Sequence, residues 1–328
     1  MADFDRTAGA IFGCALGDAL GLPAEGSMKH IMTERYPAGL TLPHQTSTRG
    51  WKLNDWTDDT DLTVLVMRTL RAFYSGKTRN PAADYAERLT KWYNGGFTEL
   101  GDTGGEGCGN MTWRVLRRED FTRDPFHAAK AIIGPKAGNG AIMRTAPCAF
   151  TRDPAGWASY MCQTTHSDTR CVAACVAQTI LVRGLAETPK NARVDSGILR
   201  QAMTASAAYL SPPHQKEMMD WALRSAKLSS LELDARGARG YTFKTFGCAV
   251  WAFRQLYNAP TRDAAFFETA MRNLVMEAGD ADTNAAVAGA VLGAAVGYKE
   301  LPEAWIQALP HRVWLLAEID LWYSATPC

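Results

Sequence analysis

Two acidic clusters in the chain contain the residue types best suited to metal chemistry. The first is Thr57-Asp58-Asp59, and the second is Asp280-Ala281-Asp282-Thr283, more than two hundred residues later. An apolar helical pattern accompanies each cluster, so both pairs of acids are predicted to lie in the first turn of a helix. Acids at that position cap free amide groups and complement the helix dipole, each contributing roughly 0.3–2 kcal/mol.

Helix capping does not account for the number of acids at the first cluster. One acid satisfies a helix start, yet Asp55, Asp58, Asp59 and Asp61 are crowded together there. Repulsion between so many carboxylates costs free energy unless a cation or solvent relieves it. The residues alone leave two interpretations open, namely helix caps or one metal site that both clusters share.

The composition is that of a soluble globular chain. Hydrophobic residues make up 47% of the sequence, charged residues make up 21%, and the formal net charge is +1. Such a balance gives no electrostatic reason to expect a nucleic acid or an anionic membrane as partner. The longest apolar segment, 285–298, is shorter than the roughly 20 residues that a membrane span needs. Acidic residues, rather than the basic ones of a secretory signal, precede the first apolar run, so a cytoplasmic location is expected.

Rows of glycine predict that two helices far apart in the sequence cross at short distance. Glycine inside a helix costs about 1 kcal/mol relative to alanine, so a glycine row on one face requires close packing in return. The first predicted helix carries Gly9, Gly13, Gly17 and Gly21, and the last long helix carries Gly289, Gly293 and Gly297. If the two helices pack together, Asp18 and Glu25 come near the second acidic cluster.

The rest of the sequence predicts a single all-α domain over residues 1–328. Residues 36–55 are rich in Pro, Gly, Thr and Ser and are expected to form a long loop. Strand-like alternation is almost absent. Beyond the helices already described, helical patterns are found at 81–95, 110–118, 125–133, 155–165, 169–186, 194–209, 216–226, 244–257, 262–277 and 311–323. An assembly of helices around one core is the economical architecture for this pattern.

A glycine-rich segment at 134–147, GPKAGNGAIMRTAP, is a candidate anion-binding loop. Closely spaced glycines let backbone amides turn toward an anion without obstruction by side chains. The segment is not a Walker loop, because its lysine precedes the glycines and no GK[ST] follows. An ordinary tight turn between helices explains the same glycines, and both interpretations stay open.

Five motifs occur together along the chain. They are GCALGDALGLPAE (13–25), WTDDT (56–60), GNGAIMR (138–144), TTHSD (164–168) and AGDADTNAAVAGAVLGAAVGY (278–298). In this order they resemble the ADP-ribosylglycohydrolase family, which includes the dinitrogenase reductase-activating glycohydrolases and the crystallin-related proteins. The resemblance covers nearly the whole chain. It implies a compact, orthogonal multi-helix all-α fold that hydrolyses the bond between ADP-ribose and a modified side chain.

The resemblance also implies roles for individual residues. The metal ligands would be Thr57, Asp58, Asp59, Asp280, Asp282 and Thr283. These would hold two divalent cations, Mg²⁺ or Mn²⁺, which prefer oxygen ligands. Glu25 would face the metals and the scissile ribose, and Gly138, Asn139 and Gly140 would cradle the diphosphate. His166 would lie beside the ribose or diphosphate, although a histidine at a helix boundary also serves as a structural hydrogen-bonding partner.

One segment departs from the family pattern. Many relatives carry an aspartate immediately before a shorter glycine turn, whereas this chain has GDTGGEGCGNMT at 101–112. Asp102 is the candidate that would take the place of that aspartate in substrate binding, with Glu106 or neither residue as the alternatives. If neither residue serves, the activity is expected to be altered.

The predicted reaction is hydrolysis of an N-glycoside through an oxocarbenium-like state. It needs a positioned water, a carboxylate to accept the water's proton, and a fixed ribose. A metal pair would hold the ribose hydroxyls and orient the water. Glu25 or an aspartate, with Asp59 as the candidate, would be the base. Arginine is the modified residue that the resemblance favours, while serine linkages or free ADP-ribosyl compounds are substrates of other members.

Two alternatives from other classes stay open. A catalytically reduced ADP-ribose-binding or crystallin-like protein would keep the fold and lose turnover, and a metal-dependent phosphohydrolase would act on a nucleotide diphosphate. The expected partner is an ADP-ribosylated protein or a small ADP-ribosyl compound, and the protein is expected to be a monomer.

Overall fold

The computed structural model describes residues 3–47, 50–134, 137–257, 259 and 261–326. The α-helices of these residues are α1 (Phe4–Gly21), α2 (Lys29–Arg35), α3 (Asp58–Tyr74), α4 (Pro81–Gly95), α5 (Asn110–Leu116), α6 (Pro125–Ala131), α7 (Pro154–Gln163), α8 (Thr169–Glu187), α9 (Gly197–Ala207), α10 (Pro212–Arg224), α11 (Thr242–Gln255), α12 (Ala264–Val275), α13 (Ala281–Val296), α14 (Glu303–Ala308) and α15 (Arg312–Tyr323). Apart from one bridge between Gly138 and Tyr241, these residues contain no β-structure. The predicted all-α fold is confirmed.

Helices α1 and α13 pack against each other along their whole length and lie at the centre of the core. A Cβ placed at Gly13 would fall on the carbonyl oxygen of Gly289, and a Cβ at Gly289 would fall on that of Gly13. A Cβ at Gly9 would lie 2.5 Å from the carbonyl oxygen of Gly293. The two glycine rows therefore allow backbone to meet backbone, which confirms the predicted crossing.

The other core helices surround this pair. Every residue of α13 is buried, and so is α1 from Arg6 to Gly21. Helix α8 is also mostly buried, and α11 packs against both α8 and α13. Two segments, Phe4–Ala24 and Thr169–Glu187, are long and apolar enough to cross a membrane, but most of each segment is buried inside the fold. Helices that are apolar on all sides are expected at such positions.

Several predicted helix boundaries are confirmed and others are displaced by local capping. Helix α4 spans 81–95 as predicted, with the Asn80 side chain accepting from the amide of Ala83. The predicted helix at 262–277 is shorter, because Asp263 caps α12 by accepting from the amide of Phe266. Helix α10 begins four residues earlier than expected, since Pro212 opens its first turn. The short helices α2 and α14 were not predicted.

Replacing Gly13 with alanine is expected to lower the free energy of unfolding by about 1–3 kcal/mol, the range for overpacked core positions. The added methyl group would overlap the carbonyl of Gly289 and force α1 and α13 apart. Denaturant unfolding followed by circular dichroism measures the change. Gly95→Ala is the matched control, because a Cβ at this position in α4 meets nothing within 4 Å. A Gly13→Ala variant as stable as the wild type would contradict the close contact.

Candidate active site

The acids of both clusters lie at helix N-termini, as the sequence predicts. Asp58 and Asp59 are in the first turn of α3, and the Thr57 side chain caps that helix by accepting from the amide of Asp59. Asp282 is in the first turn of α13, and Asp280 precedes that helix without a side-chain hydrogen bond to its first turn. Side-chain capping therefore explains Thr57 but does not account for Asp280.

Asp18 of α1 fixes the start of α3. Its carboxylate accepts hydrogen bonds from the amides of Thr57 and Thr60, at 3.0–3.1 Å and 3.0 Å, and from both hydroxyls, at 2.8 Å and 2.6 Å. Burial nevertheless raises the pKa of Asp18 to about 6, because desolvation outweighs these bonds. The position of the first acidic cluster thus depends on a buried carboxylate of the central helix.

Asp59 joins the two clusters. Its Oδ2 lies 3.2 Å from the hydroxyl of Thr57 and accepts a hydrogen bond from the hydroxyl of Thr283, also at 3.2 Å. Its Oδ1 is buried and has no hydrogen-bond partner in the described part of the chain. An unpaired buried carboxylate oxygen is costly, so this atom is suited to a cation.

Three further carboxylates converge beside Asp59. Glu25, Asp280 and Asp282 each place one carboxylate oxygen so that the three atoms lie within 4.8 Å of one another. Oxygen-only donors of this kind suit a hard divalent cation such as Mg²⁺ or Mn²⁺. Together with the orphaned Oδ1 of Asp59, this arrangement fits the metal site that the sequence predicts.

The carboxylates repel one another where no cation is bound. Burial, together with the neighbouring acids, raises the pKa values of Asp58, Asp59 and Asp282 well above the usual range. Burial also raises the pKa of Asp280, despite a hydrogen bond from Asn139. A bound cation favours the ionised form of each acid and reverses the effect of this repulsion.

The glycine loop at 138–140 is held against the segment that precedes α11. The amide of Asn139 donates to the carbonyl of Gly240, and its side-chain amide donates to Asp280 at 2.6 Å and to Thr245 at 2.9 Å. Asn139 therefore connects the loop directly to the second acidic cluster. The loop is more than a tight turn, because its glycines form part of a cleft wall.

The cleft has a volume of about 760 Å³. It brings together the predicted site residues Glu25, Asp58, Asp59, Gly138, Asn139, Gly140, His166, Asp280, Asp282 and Thr283. Thr57 lies behind this lining, where its hydroxyl contacts Asp18 and Asp59. The sequence motifs therefore converge on one surface, where Asn139 of the glycine loop contacts the acid Asp280.

The structure does not bring Asp102 into the cleft. Its carboxylate pairs with Lys52 at 2.8 Å and accepts from the amide of Phe97, in a separate depression that Glu106 also lines. Gly107 of the same segment lies close to the first acidic cluster, since a Cβ there would be 2.6 Å from Oδ1 of Asp58. The predicted substrate contact of Asp102 has no support from this arrangement, since its partners hold it elsewhere.

Sequence reasoning missed several residues of the cleft. Arg170, Thr112 and the segment 237–241 line it. Thr112 has a buried hydroxyl without a hydrogen-bond partner among the described residues. The segment 237–241 belongs to none of the five motifs, and the Gly138–Tyr241 bridge places it beside the glycine loop. No periodicity in the sequence indicates that long-range pairing.

Comparison with known proteins gives the same family as the motifs. The family model described as ADP-ribosylglycohydrolase matches residues 1–326. The chain therefore belongs to the ADP-ribosylglycohydrolase family, a class of hydrolases. A solved structure described as an ADP-ribosylglycohydrolase-related protein complex has a TM-score of 0.65 and 27% identity, over 99% of both chains.

Three curated relatives are similar over most of their length. The chain is 26% identical to the ADP-ribosyl-[dinitrogen reductase] glycohydrolase of Rhodospirillum rubrum, over 94% of this chain and 92% of that protein. It is 25% identical to the ADP-ribosylarginine hydrolase Tri1 of Pseudomonas putida (strain GB-1), over 92% and 74% respectively. It is 26% identical to the ADP-ribosylhydrolase ARH3 of Danio rerio, over 92% and 85%.

The raised pKa values predict that the cation-free protein becomes less stable as the pH rises. Asp58, Asp59 and Asp282 bind protons more tightly in the folded than in the unfolded chain. The free energy of unfolding therefore falls as the pH climbs above 3.8, the ordinary pKa, and through the raised values of the folded state. Thermal unfolding in the presence of a chelator, followed across the pH range, measures this loss.

Mg²⁺ or Mn²⁺ is expected to raise the melting temperature more at about pH 8 than at about pH 5, because protons compete for the same carboxylates. A cation at a hundredfold excess over its Kd adds about 2.7 kcal/mol. Asp282→Asn should lose most of this gain, whereas Asp220→Asn, an exposed acid of α10, should keep it. An equal gain in both variants would contradict a cation site at the second cluster.

Proposed function

We propose that this chain hydrolyses the N-glycosidic bond between ADP-ribose and a modified arginine side chain, with two divalent cations, Mg²⁺ or Mn²⁺. The observation that carries the proposal is the convergence of Glu25, Asp280 and Asp282 within 4.8 Å in the same cleft as the glycine loop. An acid-rich end suits cations and a ribose, and a loop of glycines suits a diphosphate. The substrate is an ADP-ribosylated protein or a small ADP-ribosyl compound.

The cations would be held by both acidic clusters. Their proposed ligands are Thr57, Asp58, Asp59, Asp280, Asp282 and Thr283. When bound, the metal pair polarises the site and fixes the ribose hydroxyls. The orphaned Oδ1 of Asp59 supports this assignment, because no described protein donor satisfies it.

Glu25 is the proposed base, with Asp59 as the second candidate. Glu25 follows α1 at the end nearest the acids and is only half-buried, whereas Asp59 is almost fully buried. Glu25 therefore has the better access to a water molecule. The water oxygen bonds to the anomeric carbon as the carbon–nitrogen bond breaks. The carboxylate takes the water proton, and the leaving nitrogen keeps the bonding electron pair.

The arginine linkage is supported by charge and by one relative. The guanidinium of an ADP-ribosylated arginine is cationic before the bond breaks and matches a carboxylate-rich part of the cleft, and the guanidine that leaves is protonated afterwards. The Pseudomonas putida relative is named an ADP-ribosylarginine hydrolase. A serine linkage has no cationic group at this position, so the acids would have no positive charge on the substrate to attract.

The direct test is incubation with ADP-ribosyl-arginine and ADP-ribosyl-serine, in Mg²⁺, Mn²⁺ or chelator, with analysis of the products. Intact ADP-ribose from the arginine substrate, formed only with a cation, is the expected result. AMP as product would indicate a phosphohydrolase instead. Binding of ADP-ribose without any product would indicate a binding protein that has lost turnover.

Glu25→Gln is expected to lower kcat for the arginine substrate by about 10²–10⁴-fold, the usual contribution of a general base. The amide keeps the size of the side chain but cannot accept the water proton. Steady-state kinetics measures the loss, and Glu34→Gln at an exposed position of α2 is the control. Full activity in Glu25→Gln would exclude Glu25 as the base.

Gly138→Val is expected to weaken ADP-ribose binding by about tenfold or more, because the added side chain occupies the space where the loop faces the anion. The fold should tolerate it, since a Cβ at Gly138 makes only ordinary contact, 3.6 Å from Nε2 of His166. Titration calorimetry measures the affinity. Gly95→Val, remote from the cleft, should leave affinity unchanged. Equal affinities of Gly138→Val and the wild type for ADP-ribose would indicate that the loop is an ordinary turn between helices.

A further inference from the structure

The guanidinium of Arg144 is wholly buried behind the glycine loop. It donates to the carbonyl of Gly140 at 2.9 Å and to the hydroxyl of Thr165 at 2.7 Å. It also donates to the carbonyl of Met161 at 3.2 Å and lies 3.4 Å from the hydroxyl of Thr164. These bonds fix the guanidinium between the loop and the segment that carries His166.

The chemistry of these groups fixes the direction of each hydrogen bond. Arginine has no acceptor atom, so the Thr165 hydroxyl oxygen must accept from Arg144. The hydroxyl proton of Thr165 is then free to donate, and Nδ1 of His166 lies 2.7 Å away. Among the described hydrogen bonds, Arg144 and His166 are the two partners of this hydroxyl. Nδ1 therefore accepts, which leaves the single ring proton of a neutral imidazole on Nε2.

The surroundings keep His166 neutral. Burial and the positive charge of Arg144 lower the pKa of His166 to about 3, against a smaller opposing effect of Asp168. A neutral imidazole is thus expected throughout the physiological pH range. The geometry of the hydrogen bonds, rather than the pH, determines which ring nitrogen carries the proton.

The Nε2 edge of His166 faces the glycine loop. A Cβ placed at Gly140 would lie 3.4 Å from Nε2 and 3.5 Å from the hydroxyl oxygen of Thr112. That hydroxyl is buried and has no hydrogen-bond partner among the described residues. Two polar groups therefore converge on the same point above Gly140, within the cleft.

We infer that Arg144 acts through Thr165 to hold His166 in its Nε2–H form, so that Nε2–H and the Thr112 hydroxyl together donate to one phosphate oxygen of ADP-ribose above Gly140. Arg144 and Thr165 are positioning residues in this arrangement, and Thr112 is a binding residue. The inference deepens the proposed function and rests on it for the identity of the ligand, but the proton position on His166 does not depend on any ligand.

The first experiment is ¹⁵N NMR of the ligand-free wild-type protein labelled at histidine, with the His166 signals assigned by their loss in His166→Gln. Two-bond ¹H–¹⁵N spectra distinguish a protonated ring nitrogen from an unprotonated one. The expected result is an unprotonated Nδ1 and a protonated Nε2 that do not change between about pH 6 and 8. A proton on Nδ1, or titration of the ring in this range, would overturn the inference.

The second experiment compares Thr165→Val with Thr165→Ser. Valine keeps the shape of the side chain and removes the hydroxyl, whereas serine keeps the hydroxyl. Thr165→Val should lose the Nε2–H preference in the NMR spectrum and bind ADP-ribose about 3- to 10-fold more weakly, the worth of one hydrogen bond. Thr165→Ser should retain both properties. An unchanged tautomer in a folded Thr165→Val protein would refute the link through Thr165.

The third experiment tests Thr112 by calorimetry with ADP-ribose. Thr112→Val should weaken binding by a similar factor of about 3 to 10, while Thr269→Val, an exposed threonine of α12, should not. Equal affinity for Thr112→Val and the wild type would remove Thr112 from the binding surface. Absence of ADP-ribose binding by the wild type itself would refute the proposed ligand, and the NMR result would still decide the proton position.

Discussion

The backbone contact between α1 and α13 determines whether the site can exist at all. Gly13 and Gly289 each lie where a Cβ would strike the other's carbonyl oxygen. The same two helices carry Asp18 and end or begin beside Glu25 and Asp280. A wider spacing would separate Glu25 from Asp280 and Asp282, whose carboxylates now lie within 4.8 Å. Close packing of small residues therefore fixes the distances between carboxylates that come from opposite ends of the chain.

The site that this contact builds is electrostatically unfavourable when no cation is present. Five carboxylates line one cleft, and burial and mutual repulsion raise the pKa values of Asp58, Asp59 and Asp282. Threonine hydroxyls offset part of the cost, but they leave one oxygen of Asp59 without a described partner. Proteins retain such groups where the stored free energy is used in binding. The buried core formed by α1, α8, α11 and α13 offsets the free energy that the crowded carboxylates cost the folded state.

Under the proposed function, the glycine loop has to receive a diphosphate close to these acids. The glycine loop presents backbone, and Asn139 joins it to Asp280. Behind the loop, the buried Arg144 donates to Gly140 and to Thr165. In the proposed complex the positive charge of Arg144 lies near the diphosphate, while its described hydrogen bonds go to carbonyl and hydroxyl oxygens rather than to the acids of the cleft. The proposed neutral donors, Nε2–H of His166 and the hydroxyl of Thr112, would then contact the phosphate directly, while Arg144 acts from behind the loop.

The sequence by itself determined the all-α fold, most of the longer helices and the candidate site residues. Glycines at every fourth position require close packing, and the acids at the start of one helix outnumber those that capping needs. Both features could be recognised from residues that are close together in the sequence. The motifs GNGAIMR and TTHSD identified the glycine loop and His166 as candidates, although the position of one relative to the other could not be predicted. Only the tertiary structure decided that Asp102 pairs with Lys52 away from the cleft and that Thr112 and residues 237–241 line it. Those outcomes depend on contacts between distant segments, which leave no periodic pattern in the sequence because each segment supplies only one partner.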